Sequence, residues 1–404
     1  MSTSLLYHGF GISGYHHVSS KFQGSAIHFW LEQDRFSLRC PECGSYQVKR
    51  QGKVMRSFRT VPIGLKPVWL HLAVQRVRCL LCNVLRQVHL GFASRRRSYT
   101  RSFERYALEL SRHMTIKDVA CHLGVSWDVI KDIQKRSLKR RFAQPKLHKL
   151  KQIAIDEISI GKGHRYLTIV LDLESGAVVF VGDGKGGEAL EPFWQRLRRQ
   201  KVCIEAVATD LSPAYISAVL NNLPGAVHVF DHFHIIKLFN EGLSDLRRKL
   251  YHEVTDLLQK QVIKGTRWLL LKNPENLNQE RNEAERLEEA LRLNKPLAIA
   301  YYLKEDLRRL WEQPSKAAAS AFLEDWIARA ETAGIPFLHK FSKTMALHRR
   351  GILAYYDYPI STGPLEGTNN KIKTMKRQAY GFRDLEFFKL KILALHETRY
   401  ALVG

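Results

Sequence analysis

The chain lacks the features of several protein classes. No segment of its 404 residues approaches about eighteen consecutive apolar residues, so we expect no membrane-spanning helix and no membrane partner. The first ten residues have no basic stretch followed by an apolar core, so we expect no signal peptide and a cytoplasmic protein. Six cysteines, 25 glycines and 13 prolines are too few for a small disulfide scaffold, a collagen-like fibre or a mostly disordered chain. A globular protein of about two to three domains is left.

Acidic residues are scarce relative to basic ones. Lys and Arg number 64 against 39 Asp and Glu, which gives a formal net charge of +25. Between Arg35 and Lys149 there are 26 basic and 6 acidic residues, a net of +20 (26 − 6), so the remainder carries only +5 (25 − 20). A basic excess confined to one part of a chain is typical of a module that binds a polyanion, and nucleic acid is the first candidate.

Four of the six cysteines form two Cys-x-x-Cys pairs, namely Cys40 with Cys43 and Cys79 with Cys82. A tight turn lets both sulfurs of such a pair reach one tetrahedral zinc ion at about 2.3 Å. The 35 residues between the pairs leave room for a β-hairpin, and a strand is predicted over Val68–Val74. We predict a structural zinc in an N-terminal zinc ribbon, with a redox dithiol or unliganded thiols as alternatives. Cys121 and Cys203 are expected to be buried small apolar residues.

A helix-turn-helix motif is predicted next. Thr115–Leu123 has the pattern of a short amphipathic helix, Gly124 supplies a turn, and Ser126 is the expected N-cap of a helix over Trp127–Lys139. An ordinary helical hairpin is the alternative, but the surrounding basic residues favour DNA binding with the second helix in the major groove. The predicted DNA contacts here are Arg95, Arg96, Arg97, Ser126, Lys131, Lys135 and Arg136.

After Pro145 the pattern changes to strands alternating with helices. Apolar runs predict strands that end at Asp156 and Asp210 and a strand over Ala226–Phe230. Three strands, a helix, a strand, a helix and a strand resemble the order of a ribonuclease-H-like fold. In that fold Asp156 and Asp210 would lie at adjacent strand ends and attract a divalent cation, because close carboxylates repel each other. A turn-forming role is the alternative for an aspartate at a strand end.

The remaining sequence is mainly helical in pattern. From Ile235 to about Arg349 it predicts a charged helical bundle inserted into the α/β domain. Glu366 then begins a basic, helix-like segment, and Lys373 is seven positions later on the same face. Glu366 can complete a three-carboxylate metal site, or it can simply be a glutamate that the helix dipole favours. The residues that can hold phosphates beside it are Lys373, Lys376 and Arg377.

The chain resembles the DDE transposases of bacterial insertion sequences, most closely the ISL-three family, from about Arg35 to Arg383. Beyond the zinc knuckles and the helix-turn-helix, the motifs that carry the resemblance are, in order, Ile155-Asp156-Glu157, Thr209-Asp210 with Tyr215, Asp231-His232-Phe233-His234, Glu366-Gly367-Thr368-Asn369-Asn370 and Tyr380-Gly381-Phe382-Arg383. The resemblance implies metal-dependent cleavage at the ends of the element and transfer of the 3′ ends into target DNA. It implies a catalytic triad of Asp156, Asp210 and Glu366 that binds two Mg²⁺ or Mn²⁺ ions. The possible auxiliary residues are Asp231, His234 and Lys373.

The resemblance also implies partners and a domain plan. The partners are double-stranded DNA, as terminal inverted repeats and as target, and further copies of the chain, at least a dimer on paired ends at the nucleoid. Two alternatives stay open: a zinc and helix-turn-helix regulator without catalysis, and a metal-dependent DNA nuclease. The predicted domains are a zinc ribbon (1–93), a helix-turn-helix (94–145), a catalytic domain in two parts (146–240 and 350–404) and a helical insertion (241–349). The fold class is therefore multidomain α/β.

Overall fold

The computed structural model describes residues 4–161 and 163–396. The chain forms two compact units. The first contains the described residues up to Ala143 together with Asp384–Lys391, and the second contains Gln144–Arg383 together with Ile392–His396. In the part of the chain that is described, no helix is both long enough and apolar enough to cross a membrane.

A five-stranded sheet opens the first unit, after a short helix α1 (Leu5–Phe10). Its strands are β1 (Tyr15–Gln23), β2 (Ala26–Gln33), β3 (Val48–Ile63), β4 (Lys66–Cys79) and β5 (Leu85–Gln87). The strand order is β1-β2-β4-β3, and β5 pairs with β4. Alternate residues of β4 are buried from Val68 to Val74, because successive side chains of a strand point to opposite faces. The predicted strand Val68–Val74 is thus confirmed as the middle of β4.

Three helices complete the N-terminal part of this unit: α2 (Arg101–Leu110), α3 (Ile116–Leu123) and α4 (Trp127–Phe142). The hydroxyl of Thr115 caps α3 by accepting from Asp118 N at 3.1 Å, and Gly124 ends it with a left-handed φ of 61°. Ser126 is the N-cap residue of α4 as predicted, although its side chain makes no capping hydrogen bond. Buried Arg59 of β3 donates to the Leu123 carbonyl at 2.9 Å and so fixes the end of α3 to the sheet.

The second unit is built on another five-stranded sheet. Its strands are β6 (Gln152–Gly161), β7 (Arg165–Asp172), β8 (Val178–Asp183), β9 (Ala206–Thr209) and β10 (Val227–Phe230). The order is β10-β9-β6-β7-β8, in which β6, β7 and β8 are antiparallel and β9 and β10 run parallel to β6. Helix α5 (Glu191–Gln200) precedes β9, and α6 (Pro213–Asn222) links β9 to β10. The predicted order of strands and helices is therefore present.

One strand end was predicted wrongly. Asp156 was expected to end its strand, but β6 continues to Gly161 because Asp156 and the residues after it pair with β7 as far as Arg165. Asp156 consequently lies in the middle of β6, while Asp210 directly follows β9 as expected.

From His232 onward, all regular structure in the described residues is helical. The helices are α7 (His232–Glu253), α8 (Leu257–Gly265), α9 (Arg267–Leu271), α10 (Glu283–Leu293), α11 (Lys295–Arg308), α12 (Lys316–Thr332), α13 (Pro336–Leu347), α14 (Arg349–Leu353), α15 (Gly363–Gln378) and α16 (Leu385–Leu393). Phe239, Trp326 and Phe341 pack edge to face in the core of this region. Aromatic pairs in this arrangement add to the stabilisation that burial alone provides.

Gly182 of β8 offers a test of the packing in the second unit. A Cβ at this position would clash with the carbonyl oxygen of Ala189, whereas a Cβ at Gly225 would meet nothing within 4 Å. We expect Gly182→Ala to lower the free energy of unfolding by about 1–3 kcal/mol, because a backbone carbonyl cannot move aside cheaply. Urea denaturation measures this effect, and Gly225→Ala is the matched control. Equal stabilities of the two variants would contradict the described packing.

Candidate functional site

Three aspartates meet at one edge of the second sheet. The last paired residues of β6 and β9 are Ala154 and Ala208, so Asp156 and Asp210 occupy matching positions two residues further along. Asp231 follows β10, and its backbone N–H donates to the Thr209 carbonyl at 3.0 Å. The parallel course of these three strands therefore brings together carboxylates that are far apart in the sequence.

Asp156 is half-buried and held on both oxygens. Its Oδ1 accepts from the backbone N–H of Glu157 at 2.7 Å, and its Oδ2 accepts from Nδ2 of Asn369 on α15 at 2.8 Å. Burial raises the pKa of Asp156 to about 6, and the nearby charge of Asp210 acts in the same direction. Its neighbour Glu157 points elsewhere, since its Oε2 accepts from the hydroxyl of buried Tyr215 at 3.0 Å.

Asp210 is fixed by its own turn. The backbone N–H of Ser212 donates to Oδ1 of Asp210 at 3.0 Å, which is the local hydrogen bond that aspartate favours after a strand. The proline that follows Ser212 stands at the start of α6, as predicted. The side chain of Asp210 is half-buried beside Asp156 and so contributes negative charge to the same edge.

Glu366 lies in the first turn of α15 and is exposed. It is three residues before Asn369 on the same side of the helix, so it lies one turn away from the contact with Asp156. In this structure the carboxylates of Asp156, Asp210 and Glu366 do not form one cluster of metal ligands. Among the described residues, the four cysteines alone have three or more ligand atoms within 4.8 Å of one another. On the following turns, Lys373 and Arg377 are exposed and Lys376 is half-buried.

Asp231 connects the sheet edge to the start of α15. It is 1% exposed, and its Oδ2 accepts from the hydroxyl of Thr362, the residue before α15, at 2.6 Å. Nε2 of His234 lies 3.8 Å from the same oxygen. Sequence reasoning missed Thr362 and gave Asn369 no role, because both act through partners that are distant in the chain. Their positions beside Glu366 were the available signal.

The four paired cysteines form a compact sulfur cluster in the first unit. Sγ of Cys40 lies 3.5 Å from Sγ of Cys82, and Sγ of Cys43 lies 3.5 Å from Sγ of Cys79. Four thiolates about 2.3 Å from one zinc ion would be roughly 3.8 Å apart, so the cluster fits this ion. Cys121 and Cys203, which were expected to be buried, are exposed.

Backbone N–H groups favour the thiolate form in both knuckles. Hydrogen bonds from the backbone of Cys82 and Leu81 lower the pKa of Cys79 to about 6, and hydrogen bonds from Cys43 and Glu42 lower the pKa of Cys40. Because zinc binds thiolate and not thiol, this geometry prepares the first cysteine of each pair for the metal.

The predicted DNA-contacting residues of the first unit differ in their surroundings. Arg95, Arg96 and Ser126 are exposed. Arg97 and Arg136 instead pair with carboxylates between the helices: Arg97 with Asp132 at 2.9 Å, and Arg136 with Asp132 and Glu104, both at 3.2 Å. Arg136 therefore also joins α4 to α2, and Arg97 joins the turn before α2 to α4.

The lysines of α4 also have carboxylate partners. Lys131 and Lys135 lie 3.0 and 2.9 Å from Oδ2 of Asp384, and Lys135 and Lys139 lie 2.8 and 2.9 Å from the carboxylate of Glu386. Burial acts to raise the pKa of Asp384, but the backbone N–H of Phe387, which donates to Oδ1 at 3.0 Å, and the two lysines together hold this pKa below its usual range. The positive charge of this helix face is therefore partly compensated within the first unit.

Comparison with known proteins gives consistent matches along the chain. A transposase family model matches residues 153–392, a model described as the helix-turn-helix domain of transposase family ISL3 matches 88–138, and one described as the zinc-finger of transposase IS204/IS1001/IS1096/IS1165 matches 37–82. Together these models cover the cysteine cluster, the three helices and the sheet edge that carries the aspartates.

Individual relatives agree with the family models. The transposase for insertion sequence element IS1001 of Bordetella parapertussis is 32% identical over 378 residues, which are 92% of each chain. The transposase for insertion sequence element IS1557 of Mycobacterium tuberculosis is 28% identical over 91% of this chain and 87% of that protein. The solved Drosophila P element transposase strand transfer complex matches 76% of this chain and 94% of that chain at 11% identity. Its TM-score of 0.39 is too low to establish a shared fold.

The matches extend through a zinc ribbon, a helix-turn-helix and a transposase domain in a single order. One curated relative exceeds 30% identity over nearly the whole chain. The chain therefore belongs to the ISL3 family of insertion-sequence DDE transposases, and it is a DNA-binding enzyme that cleaves DNA and transfers its strands.

Proposed function

We propose that Asp156, Asp210 and Glu366 are the catalytic carboxylates of this transposase, on a catalytic domain of the ribonuclease-H-like type. The observation that carries the proposal is the 2.8 Å hydrogen bond from Asn369 to Asp156. It holds α15 against β6, the strand whose neighbour β9 leads into Asp210. Glu366 is one helical turn from this contact, and its carboxylate is exposed.

Oxygen ligands of this kind suit Mg²⁺ or Mn²⁺. Asp156, Asp210 and Glu366 would hold two such ions, and bound metal would supply activation of a water or a 3′-hydroxyl and charge stabilisation at the leaving oxygen of the phosphodiester. The chain's own residues orient these ligands: Asn369 fixes Asp156, and the Ser212 N–H fixes Asp210. Asp231, with His234 beside it, fixes the start of α15 through Thr362. The basic residues that can hold DNA phosphates along α15 are Lys373, Lys376 and Arg377.

The first unit is proposed to bind the terminal inverted repeats of the element. It contains the zinc ribbon (1–93) and most of the helix-turn-helix domain (94–145), where the basic excess is concentrated. Residues 146–240 and 350–404 are assigned to the catalytic domain, and 241–349 to a helical insertion; within the last part of the catalytic domain, Asp384–Lys391 belong to the first compact unit. Holding two DNA ends together requires at least two protomers, so we propose a homo-oligomer on synapsed DNA at the nucleoid.

The catalytic assignment predicts that replacing one of the carboxylates greatly lowers strand transfer but leaves DNA binding intact. Glu366→Gln and Asp156→Asn should each lower strand transfer from an oligonucleotide carrying the element end by at least about 100-fold in Mg²⁺, because charge stabilisation of the transition state is lost. Affinity for the uncut duplex should stay within about twofold. Glu174→Gln, a change at an exposed turn, is the matched control. Strand transfer by Glu366→Gln at the wild-type rate would show that Glu366 is not a catalytic residue.

Asn369 provides a test of ligand orientation. Asn369→Ala leaves Oδ2 of Asp156 without its donor, and a lost buried hydrogen bond of about 1–3 kcal/mol corresponds to a loss of roughly tenfold or more in strand transfer. DNA affinity should not change. Asn221→Ala, on the exposed side of α6, should keep the wild-type rate. Equal rates for the two variants would show that Asn369 does not position the carboxylate.

The cysteine cluster predicts that zinc supports folding and not chemistry. Cys79→Ser should weaken zinc binding by more than the roughly 10–100-fold that the loss of an outer-shell partner costs. It should also lower DNA affinity, because the ribbon loses its cross-link. Zinc content by atomic emission and duplex binding by anisotropy measure both effects, with exposed Cys121→Ser as the control. Full DNA affinity in zinc-free Cys79→Ser protein would contradict a structural role.

A further inference from the structure

A cleft of about 820 Å³ opens in the first unit beside the cysteine cluster. One end is formed by Pro41 and Glu42 of the first knuckle, and the other end by the turn that contains Arg95 and Arg96. The arginines that line it come from β3, β4, β5 and that turn, namely Arg56, Arg76, Arg86, Arg95 and Arg96. Only the two arginines of the turn were anticipated from the sequence as DNA contacts.

The cleft is strongly positive. Among the described residues that line it, Glu42 is the one carboxylate, and its partner Arg86 is 3.9 Å away with both side chains more than half exposed. An exposed pair at this distance contributes little. Five arginines against one glutamate leave an excess of four positive charges facing one cavity (5 − 1), and a cleft lined by charge of one sign attracts a polyanion.

Two features prepare these arginines for a ligand. Arg56 donates from Nη2 to the Arg97 carbonyl at 2.7 Å and stacks on Phe58 at 4.7 Å, so its guanidinium is held at the turn. Arg96 has a φ of +61°, a conformation in which glycine avoids the steric cost that any other side chain has. The turn nevertheless carries an exposed arginine, which indicates that the side chain serves a purpose other than stability.

We propose that this arginine cleft binds the sugar-phosphate backbone of duplex DNA at the element end, an inference that rests on the proposed function. Guanidinium groups on three strands and a turn match a row of phosphates better than a single small anion. Among the described lining residues there is no Phe, Trp or Tyr, whereas single-strand sites use aromatic side chains on which bases stack. Buried Val88, Leu90 and Ala93 supply an apolar lining suited to deoxyribose.

Contacts to phosphates have two measurable consequences for DNA binding. They weaken with salt, so each lost contact lowers the slope of log affinity against log salt concentration by about 0.9. They carry no sequence information, so their loss weakens binding to every duplex by the same factor. A contact to a base edge would instead reduce the preference for one sequence.

The test measures binding of full-length protein to three probes: a duplex with the element's terminal sequence, a duplex with the same bases in scrambled order, and a single strand of the terminal sequence. Arg76→Gln/Arg95→Gln should lower the salt slope by about 1.8 and weaken binding to both duplexes equally. Arg76→Lys/Arg95→Lys keeps the charges and should keep the slope. Arg35→Gln, an exposed arginine outside the cleft, is the control for charge alone.

Each result has a definite meaning. An unchanged salt slope in Arg76→Gln/Arg95→Gln would overturn the proposal that the cleft binds phosphates. A loss of affinity confined to the element-end duplex would show that the cleft contacts base edges and not the backbone. Preferential loss of affinity for a single-stranded oligonucleotide would assign the cleft to single strands and also overturn the proposal. Strand transfer by the wild type in Mg²⁺ tests the proposed function separately, because its absence would count against that function whatever the slopes are.

Arg96 allows a second test that does not depend on the stability of the variants. Arg96→Gly removes the charge and also removes the steric cost of the left-handed turn. We expect an equal or higher Tm together with a salt slope lower by about 0.9. A variant with the wild-type slope would show that Arg96 contacts no phosphate.

Discussion

The hydrogen bond from Asn369 to Asp156 joins residues 213 positions apart, and the proposed catalytic geometry depends on it. A second bond, from Thr362 to Asp231, spans 131 positions and holds the start of the same helix. Both acceptors are aspartates at the sheet edge, and a buried carboxylate without a donor is costly. The hydrogen bonds to these two carboxylates therefore fix the position of α15. The position of α15 in turn sets the distance of Glu366 from the sheet.

The sheet of the second unit was predictable because strands buried on both faces have continuous apolar runs, such as the residues before Asp156 and Asp210. The full extent of β6 was missed, because Asp156 was taken as the end of the strand although the residues after it alternate between polar and apolar as in a half-buried strand; their pairing with β7 is a tertiary contact. Strand β1 had no signal either. All but the first of its residues are exposed, so no apolar periodicity marks it.

The candidate site was predictable in its residue types but not in its connections. Carboxylates at strand ends and at a helix start, and cysteines in pairs, are chemical signals that a local pattern contains. The partners of Asp156 and Asp231 are neutral side chains with no such signal. For the lysines of α4, the sequence overstated the charge available to DNA. Their basic spacing predicts DNA contacts, but it cannot reveal the carboxylates of Asp384 and Glu386 beside them.

The carboxylates of Asp384 and Glu386 are synthesised long after the lysines of α4. Asp384 follows Lys135 by 249 positions, and a ribosome that adds about 5–20 residues per second needs roughly 10–50 seconds to cover that distance. During this interval Lys131, Lys135 and Lys139 lack the acidic partners that they have in the complete chain. The positive charge that α4 offers to a polyanion is therefore greatest during translation, while the growing chain is still attached to the ribosome.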